Sequence, residues 1–539
     1  MGYGFYTTSE MGVTLFLLAS TWAVWTLLHR VTPGTFAMAG FALSGVALTK
    51  FSGLAIIPIA GLLLWARMKN PTPWIVAFRG TREVSGRKPQ LLFALRLAGL
   101  LILFVSLVIW ASFGFKYSIL GPDATASDHL DRSWESLHVS KVMRGLLMLA
   151  RKMHLLPEGY LYGFKHVLAT TRSRPSFLNG SFNMRGFRTY FAVCLALKTP
   201  LTLFLFMLLS AAGGWRRRDK NQTEQSGSWL QRQGVYELVP LFALWGYFMA
   251  SALLSRMNIG HRLIMPLYPA MFVLAGGAAM WFPRNAFAST VGAKQAASSK
   301  DLAASASTSC IVRVVMFIGL LFTIAQSAWI WPNYTAFFNI LGGGERHGYR
   351  HMVDSSVDWG QDFDGLREWL EAHPTESTDT DRVYVSYFGS IDYKRYRVEA
   401  RWLPSHFNKA SRLDEFYSGG LYCISATNLQ SVYGPFPGRW NAKFEEQYQS
   451  LRPIANAYLE LQNDPAAQES LAQEIGEENL TEALDTHEHL RFRRLCAFLR
   501  AREPDDNVGG SILIYRLKDE DVRQALAGPP VETLQSPEH

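Results

Sequence analysis

Cysteine is scarce in this chain, four residues in 539, and neither Cys nor His recurs at a metal-ligand spacing. No metal and no other cofactor is therefore expected. A Gly-rich nucleotide-binding motif is also missing, which argues against a bound nucleotide. Internal repeats are absent, which argues against a transporter built from repeated halves. No cleavable signal peptide is evident, because the first apolar run is a full span without a small-residue cleavage site. Of the four cysteines, Cys194 and Cys310 fall in or at apolar runs. Cys423 and Cys496 fall in the polar last third, where a disulfide and two unpaired thiols are both open readings.

What the chain does have is long apolar runs. Mean hydropathy is only +0.04 because a hydrophobic first two-thirds is averaged with a polar tail. Eight runs are long enough to suggest membrane spans, at 11–29, 35–49, 51–67, 92–113, 190–213, 234–255, 261–282 and 311–331. The second and third are short and separated only by Thr49-Lys50, which fits two steep spans or one broken helix. The net charge of +9 would suggest nucleic acid in a soluble protein. Here the cations concentrate in three loops: Arg67, Lys69, Arg79, Arg82, Arg87, Lys88 and Arg96; Arg216, Arg217, Arg218 and Lys220; Arg284, Lys294 and Lys300. With these loops in the cytoplasm, residues 1–10, 114–189, 256–260 and 332–539 lie outside, and no nucleic-acid partner is needed. Because the first span begins almost at Met1 with its start outside, an odd number of preceding spans is expected to be missing from this sequence.

The chain is thus expected to be a polytopic α-helical membrane protein. Its bundle covers 1–331, with an outer excursion at 114–189, and a soluble α/β domain covers 332–539. Within the excursion, Val142–Met153 and Tyr160–Thr170 have amphipathic helical spacing, and Trp134, Tyr160 and Tyr162 suit a membrane interface. In the tail, the runs starting at Val383 and Ser511 read as strands, and 363–372 and 464–500 as helices.

Threading brings Glu10, Lys50, Lys198, Arg256, His261 and Arg262 to one membrane face, away from the basic loops. Taken singly each has a bland reading: Glu10 is a first-turn acid beside the capping residue Ser9, and lysines near span ends snorkel. Taken together they suit a phosphate or pyrophosphate headgroup, Arg for bidentate contacts and Lys for point charge. Pro266 and Pro269 inside the next run are expected to break that helix beside a cavity. In the tail, Asp354, Asp358, Trp359 and Gln361 are candidate sugar or acceptor contacts, with the indole stacking on a sugar face; cation binding or capping of the helix near Phe363 are the alternatives. Asn179-Gly-Ser and Asn333-Tyr-Thr match glycosylation acceptors that matter only in a eukaryotic lumen.

Several segments resemble the bacterial branch of the membrane glycosyltransferases related to protein O-mannosyltransferases and the lipid A aminoarabinose transferase. These are Thr7-Thr-Ser-Glu10-Met, Gly45-Val-Ala-Leu-Thr-Lys50-Phe-Ser-Gly, and Leu178-Asn-Gly-Ser followed by Leu197-Lys198-Thr-Pro200. They continue with Asn258-Ile-Gly-His-Arg262 leading to Pro266-Leu-Tyr-Pro269, then Asp354-Ser-Ser-Val-Asp358-Trp-Gly-Gln361 and Gly510-Ser-Ile-Leu-Ile-Tyr515. The resemblance implies a GT-C fold in the bacterial inner membrane, with the tail periplasmic. It also implies inverting transfer of a sugar from a polyprenyl-phosphate donor to a lipid, glycan or protein hydroxyl. The family's general base lies in a first outer loop that would precede a span absent here, and the family usually has Asp where this chain has Glu10. Glu10 is then the catalytic candidate, with Lys50, Lys198, Arg256, His261 and Arg262 on the donor phosphate. A lipid-linked-sugar flippase and a non-catalytic membrane partner are the competing expectations.

Overall fold

The computed structural model describes residues 9–70, 72–78, 80–120, 132–170, 174–220, 236–282, 299–374, 382–390, 398–407 and 416–532. The side chains of 216–220 and 299–309 lie outside this description. So do Thr7, Thr8, Arg79, Arg284 and Lys294, and with them part of the expected basic loops.

The first two-thirds is helical. Its helices are α1 (Ser9–His29), α2 (Pro33–Thr49), α3 (Ile56–Met68), α4 (Arg87–Ser112), α5 (Lys141–Lys152), α6 (Glu158–Thr170), α7 (Tyr190–Lys198), α8 (Leu201–Lys220), α9 (Val239–Leu254), α10 (Leu267–Gly276) and α11 (Ser299–Trp329). Apolar helices occupy every one of the eight expected runs, but among the described residues four are long and apolar enough to cross a membrane, or five if a bent pair counts as one span. The four are Ser9–His29, Phe51–Met68, Arg87–Ser112 and Cys310–Trp329. The run at 190–213 is no straight span: α7 and α8 meet at 94°. Pro200 has no N–H to give and keeps Thr199 out of the helical region, and Thr199 is extended at φ −103°, ψ 134°. The runs at 35–49, 234–255 and 261–282 form the shorter helices Pro33–Thr49, Val239–Leu254 and Leu267–Trp281. Pro266 stands at the N-cap of α10 and Pro269 in its first turn, where a missing N–H costs nothing.

The pair around Lys50 is two antiparallel helices, not one broken helix. Gly12 of α1 faces Thr49 of α2, and Gly45 of α2 faces the Phe16 ring, so α2 returns along α1. A Cβ at Gly45 would come within 2.3 Å of that ring, so the missing side chain lets the two helices close. The 3-10 turn Phe51–Ala55 then reverses the chain, and α3 descends until Arg67 Nε donates to Leu28 O at the far end of α1 (3.0 Å). At that end the segment read as a plain basic loop contains a small sheet, β1 (Arg30–Val31), β2 (Trp74–Ala77) and β3 (Thr81–Val84), in the order β1-β2-β3.

The amphipathic pieces of the excursion are helical as expected. Its aromatics make contacts within the protein: Trp134 is buried under the Arg151 guanidinium (4.6 Å), Tyr160 OH donates to Ala47 O (3.1 Å), and Tyr162 OH to Arg132 O (2.8 Å). A hairpin of β4 (Ser176–Leu178) and β5 (Ser181–Asn183) follows. Asn179, in its turn, is tied through Oδ1 to the His351 ring at 2.8 Å.

The tail is α/β. Strands β6 (Val383–Ser386), β7 (Arg401–Trp402), β8 (Gly420–Ser425), β9 (Asp506–Val508) and β10 (Ile512–Leu517) form a mixed sheet of order β7-β6-β8-β10-β9. Its helices are α12 (Phe363–Ala372), α13 (Ala442–Glu460), α14 (Pro465–Ile475), α15 (Glu477–Arg500) and α16 (Asp519–Ala527). Side chains alternate across the pleat. Leu421 and Cys423 of β8 pack on Phe363 and Leu366 of α12, while Tyr422 and Ile424 pack on Phe492, Leu495 and Cys496 of α15. That second cluster runs on without a break through Tyr349, Met352 and Val357 into Phe191, Leu267 and Met271 of the apolar helices. The tail and the helices therefore share a core.

The same alternation settles the cysteines. Cys423 and Cys496 are both buried and free, one on each face of the sheet, and side chains with a strand between them cannot meet the geometry of a disulfide. Thiol titration of the denatured chain without reductant is expected to count four free groups per molecule; a count of two would contradict this packing.

Candidate functional site

The site starts from the bend at Pro200. Ending α7 there exposes the carbonyls of its last turn, and Asn339 collects them: its Nδ2 donates to Ala196 O (2.6 Å) and Thr199 O (2.8 Å), and its backbone N–H to Leu197 O (2.8 Å). Lys198, beside the bend, does not snorkel. It is 6% exposed, and its ammonium donates to Thr335 O at 2.6 Å and to Ser356 O, with the Phe338 ring 4.4 Å away. It clasps the tail onto the bend.

Reversal of the chain at Lys50 brings its ammonium to Glu10, 2.8 Å from Oε1. Arg262 approaches the same oxygen at 3.8 Å. Glu10 is 4% exposed, so it is more than a solvated first-turn acid: two cations hold a buried carboxylate, as burial of charge demands. Arg262 arrives on a 3-10 turn (His261–Ile264) that follows Gly260. Gly260 has φ +115°, and a Cβ there would stand 2.3 Å from Ser355 Oγ, so no other residue fits without moving the chain. The loop is seated on the tail by Ser355 Oγ donating to Ile259 O and by His261 N–H donating to Ser356 Oγ (3.2 Å). The Arg262 guanidinium then lies 4.9 Å from the Trp359 ring centre, within range of a cation–π contact.

Two cavities flank the start of α1. The smaller, about 280 Å³, is lined by Glu10, Lys50, Ser52, Tyr247 and Arg262. The larger, about 660 Å³, has mostly apolar walls that include Phe206, Phe272 and Leu320, and polar groups from Lys198, His261 and Tyr268. Met11 and Thr14 face the larger cavity while Glu10 and Val13 face the smaller. In the larger, the His261 ring meets Tyr268 OH at 2.6 Å, and that hydroxyl meets Thr199 Oγ1 at 2.7 Å. Neither Tyr268 nor Thr199 stood out as a site residue by itself; only the Lys-Thr-Pro and Pro-Leu-Tyr-Pro segments that contain them marked the region. Of the six expected charged residues, Arg256 departs: it is exposed and lines neither cavity.

The tail motif divides. Asp358 is fully buried and accepts from the backbone N–H groups of Gly360 (3.3 Å) and Thr427 (3.4 Å). It cannot touch a sugar, and burial pushes its carboxyl up to about 8. Asp362 accepts from Ser511 Oγ (2.6 Å) and Gln361 Nε2 (2.7 Å), and burial lifts it to about 6. Asp362 thus ties the motif to β10 in place of capping α12. Asp354, at φ +56°, takes Tyr433 OH and Ser355 N–H (2.6 Å), and burial raises its carboxyl too. Gln361 is spent on Trp359 N–H (2.7 Å) and Val357 O (3.0 Å). The motif is a hydrogen-bonded turn, and Ser356 and the ring of Trp359 link it to the charged cluster. Among the described residues no group of three or more His, Cys, Asp or Glu could hold a metal ion.

Replacing Gly260 by Ala is expected to destabilise the chain by about 2–4 kcal/mol, since it combines a strained φ with a clash against the Ser355 hydroxyl and tight contact with the Ser355–Ser356 backbone; an unchanged melting temperature would refute the docking. The buried acids set a pH dependence. A carboxyl raised in the folded state holds its proton there while the unfolded chain releases it, so stability falls as pH rises from about 4. For Asp358 the loss runs to about 8. The melting temperature in detergent should therefore decline from pH 5 to pH 8, and Asp358→Asn should flatten that decline; an equal slope in both proteins would sink the assignment.

No protein-family model, no curated protein and no solved structure matches this chain.

Proposed function

We propose that this chain is a membrane glycosyltransferase of the GT-C type, taking a sugar from a polyprenyl-phosphate donor at the outer face of a bacterial inner membrane. The observation that carries the reading is a buried acid bridged to two cations in a cavity wall, beside a second, largely apolar cavity with a cationic end. A prenyl chain needs the apolar space, and a sugar phosphate needs the cations. Four helices long enough to span a membrane are consistent with such a setting, and the tail would stand on the periplasmic side.

In the proposed reaction the acceptor oxygen attacks the anomeric carbon from the face opposite the phosphate. The bond from that carbon to the phosphate oxygen breaks, and the electron pair leaves with the phosphate, so configuration inverts. Lys50 and Arg262 meet the charge that grows on the leaving group; Lys198 and His261 stand at the polar end of the lipid cavity. The acceptor proton goes to a carboxylate. Glu10 fills that role once the donor phosphate draws the two cations away from it; otherwise it orients them. The resemblance of the Lys50, Lys198, Arg262 and Asp354–Gln361 segments to known transferases supports the same reading, and the acceptor is a lipid, glycan or protein hydroxyl.

The test is sugar transfer by the purified chain in lipid nanodiscs with a polyprenyl-phosphate-sugar donor. Lys50→Ala and Arg262→Ala are each expected to lower kcat/KM by a factor on the order of 10² or more, with membrane insertion intact. Variants that transfer at the parental rate would remove the cluster from the mechanism. A parental chain that neither transfers sugar nor binds the donor would remove the reading.

A further inference from the structure

The excursion carries a helix whose outward face is apolar. Along α5 and its C-cap, Val142, Leu146, Leu149 and Met153 recur at helical spacing and are 76%, 56%, 53% and 59% exposed, while Leu147 on the other face packs on Trp134 and Leu161. The helix contains Lys141, Arg144, Arg151 and Lys152 and no acid. Arg151 pairs with Glu158 (2.6 Å); the other three make no ion pair among the described residues. An apolar stripe edged by cations is the signature of a helix lying in a lipid headgroup layer.

Its position agrees. The end of α4, a helix long enough to span a membrane, is bound to the end of α5: Trp110 Nε1 donates to Leu155 O (3.1 Å) and Tyr117 OH to Arg151 O (2.8 Å). Along α4 the exposed residues include Leu92, Leu95, Leu103 and Leu107, and the exposed apolar surface continues through Phe113, Phe115 and Leu155 onto α5. One apolar face thus passes from a spanning helix onto a basic amphipathic one.

We infer that α5 is an interfacial helix that binds an anionic lipid surface. Its four apolar side chains enter the acyl boundary, and Lys141, Arg144 and Lys152 meet acidic headgroups. The inference rests on the membrane reading above and adds the surface and the lipid class. It also gives the excursion a task. Through α6, which packs Tyr160 and Phe164 on Phe51 (5.1 and 5.4 Å between ring centres), contact of α5 with the headgroups fixes the depth of the neighbouring Lys50.

The experiment uses the full chain in nanodiscs of phosphatidylcholine with or without phosphatidylglycerol, on a Cys310→Ser background. The other three cysteines are buried. A fluorophore is placed on Leu146→Cys or Leu103→Cys, positions whose exposure spares the fold. Both labels are expected to be quenched by nitroxide lipids, the first best by a shallow nitroxide and the second by a deep one, and neither by aqueous iodide. Quenching at position 146 should rise with phosphatidylglycerol. Lipid quenching at 103 with iodide quenching at 146 overturns this inference and leaves the membrane reading standing. Loss of lipid quenching at both overturns both. A label at 146 hidden from lipid and iodide alike means that protein covers α5, and equal quenching without phosphatidylglycerol overturns the anionic component.

Discussion

The seating of the loop 258–262 on the turn 354–359 is the contact on which the rest depends. It exists because Gly260 has no side chain and adopts φ +115°, which lets the Ser355–Ser356 backbone approach to the distance where hydroxyls replace water as partners. Once seated, the loop delivers Arg262 between the Glu10 carboxylate and the Trp359 ring. Neither partner alone would hold a half-buried guanidinium well: the ring supplies no counter-charge, and the carboxylate at 3.8 Å is already bonded to Lys50. The same turn offers Ser356 O to Lys198, so one backbone segment positions cations in both cavities.

Holding that turn in place requires buried polar groups, each met by a partner. Burial raises the carboxyls of Asp358 and Asp362 above the usual carboxylate range, and both are tied to Thr427, Gly360 and Ser511, which fastens the motif to the sheet. Behind the sheet, α15 buries arginines that would be costly without acids: Arg494 with Glu445 (2.9 Å), Arg500 with Glu532 (2.6 Å), and Arg491 with Glu488. A tail built this way is a stiff support. Through Ser355 and Ser356 it fixes the loop that carries Arg262 and His261.

Much of this was legible in the sequence because hydrophobic periodicity is local. Each apolar run became helix, the two amphipathic pieces of the excursion formed where their spacing put them, and the helices of the tail appeared over 363–372 and 464–500 with one break. Clustering of Glu10, Lys50 and Arg262 was also readable, since alternation of spans assigns each loop to an end. The sequence could not tell a straight span from a sharp bend at Pro200, because proline is tolerated in membrane helices when neighbours satisfy the freed carbonyls, and Asn339, the neighbour that does so, lies 139 positions further on.

What composition and pattern determined by themselves was the helical framework, its charge asymmetry and the α/β character of the tail; these follow from free energies of burial that act residue by residue. Only the tertiary structure decided how each polar side chain is used. Lys198 became a clasp, Asp358 a buried brace and Arg256 a surface charge, while Trp134 turned inward. The alternation of β8 put Cys423 and Cys496 on opposite faces of one sheet. The reason is that a polar group takes its role from the donor, acceptor or charge that packing sets within about 3 Å of it, and that neighbour is almost never adjacent in the chain.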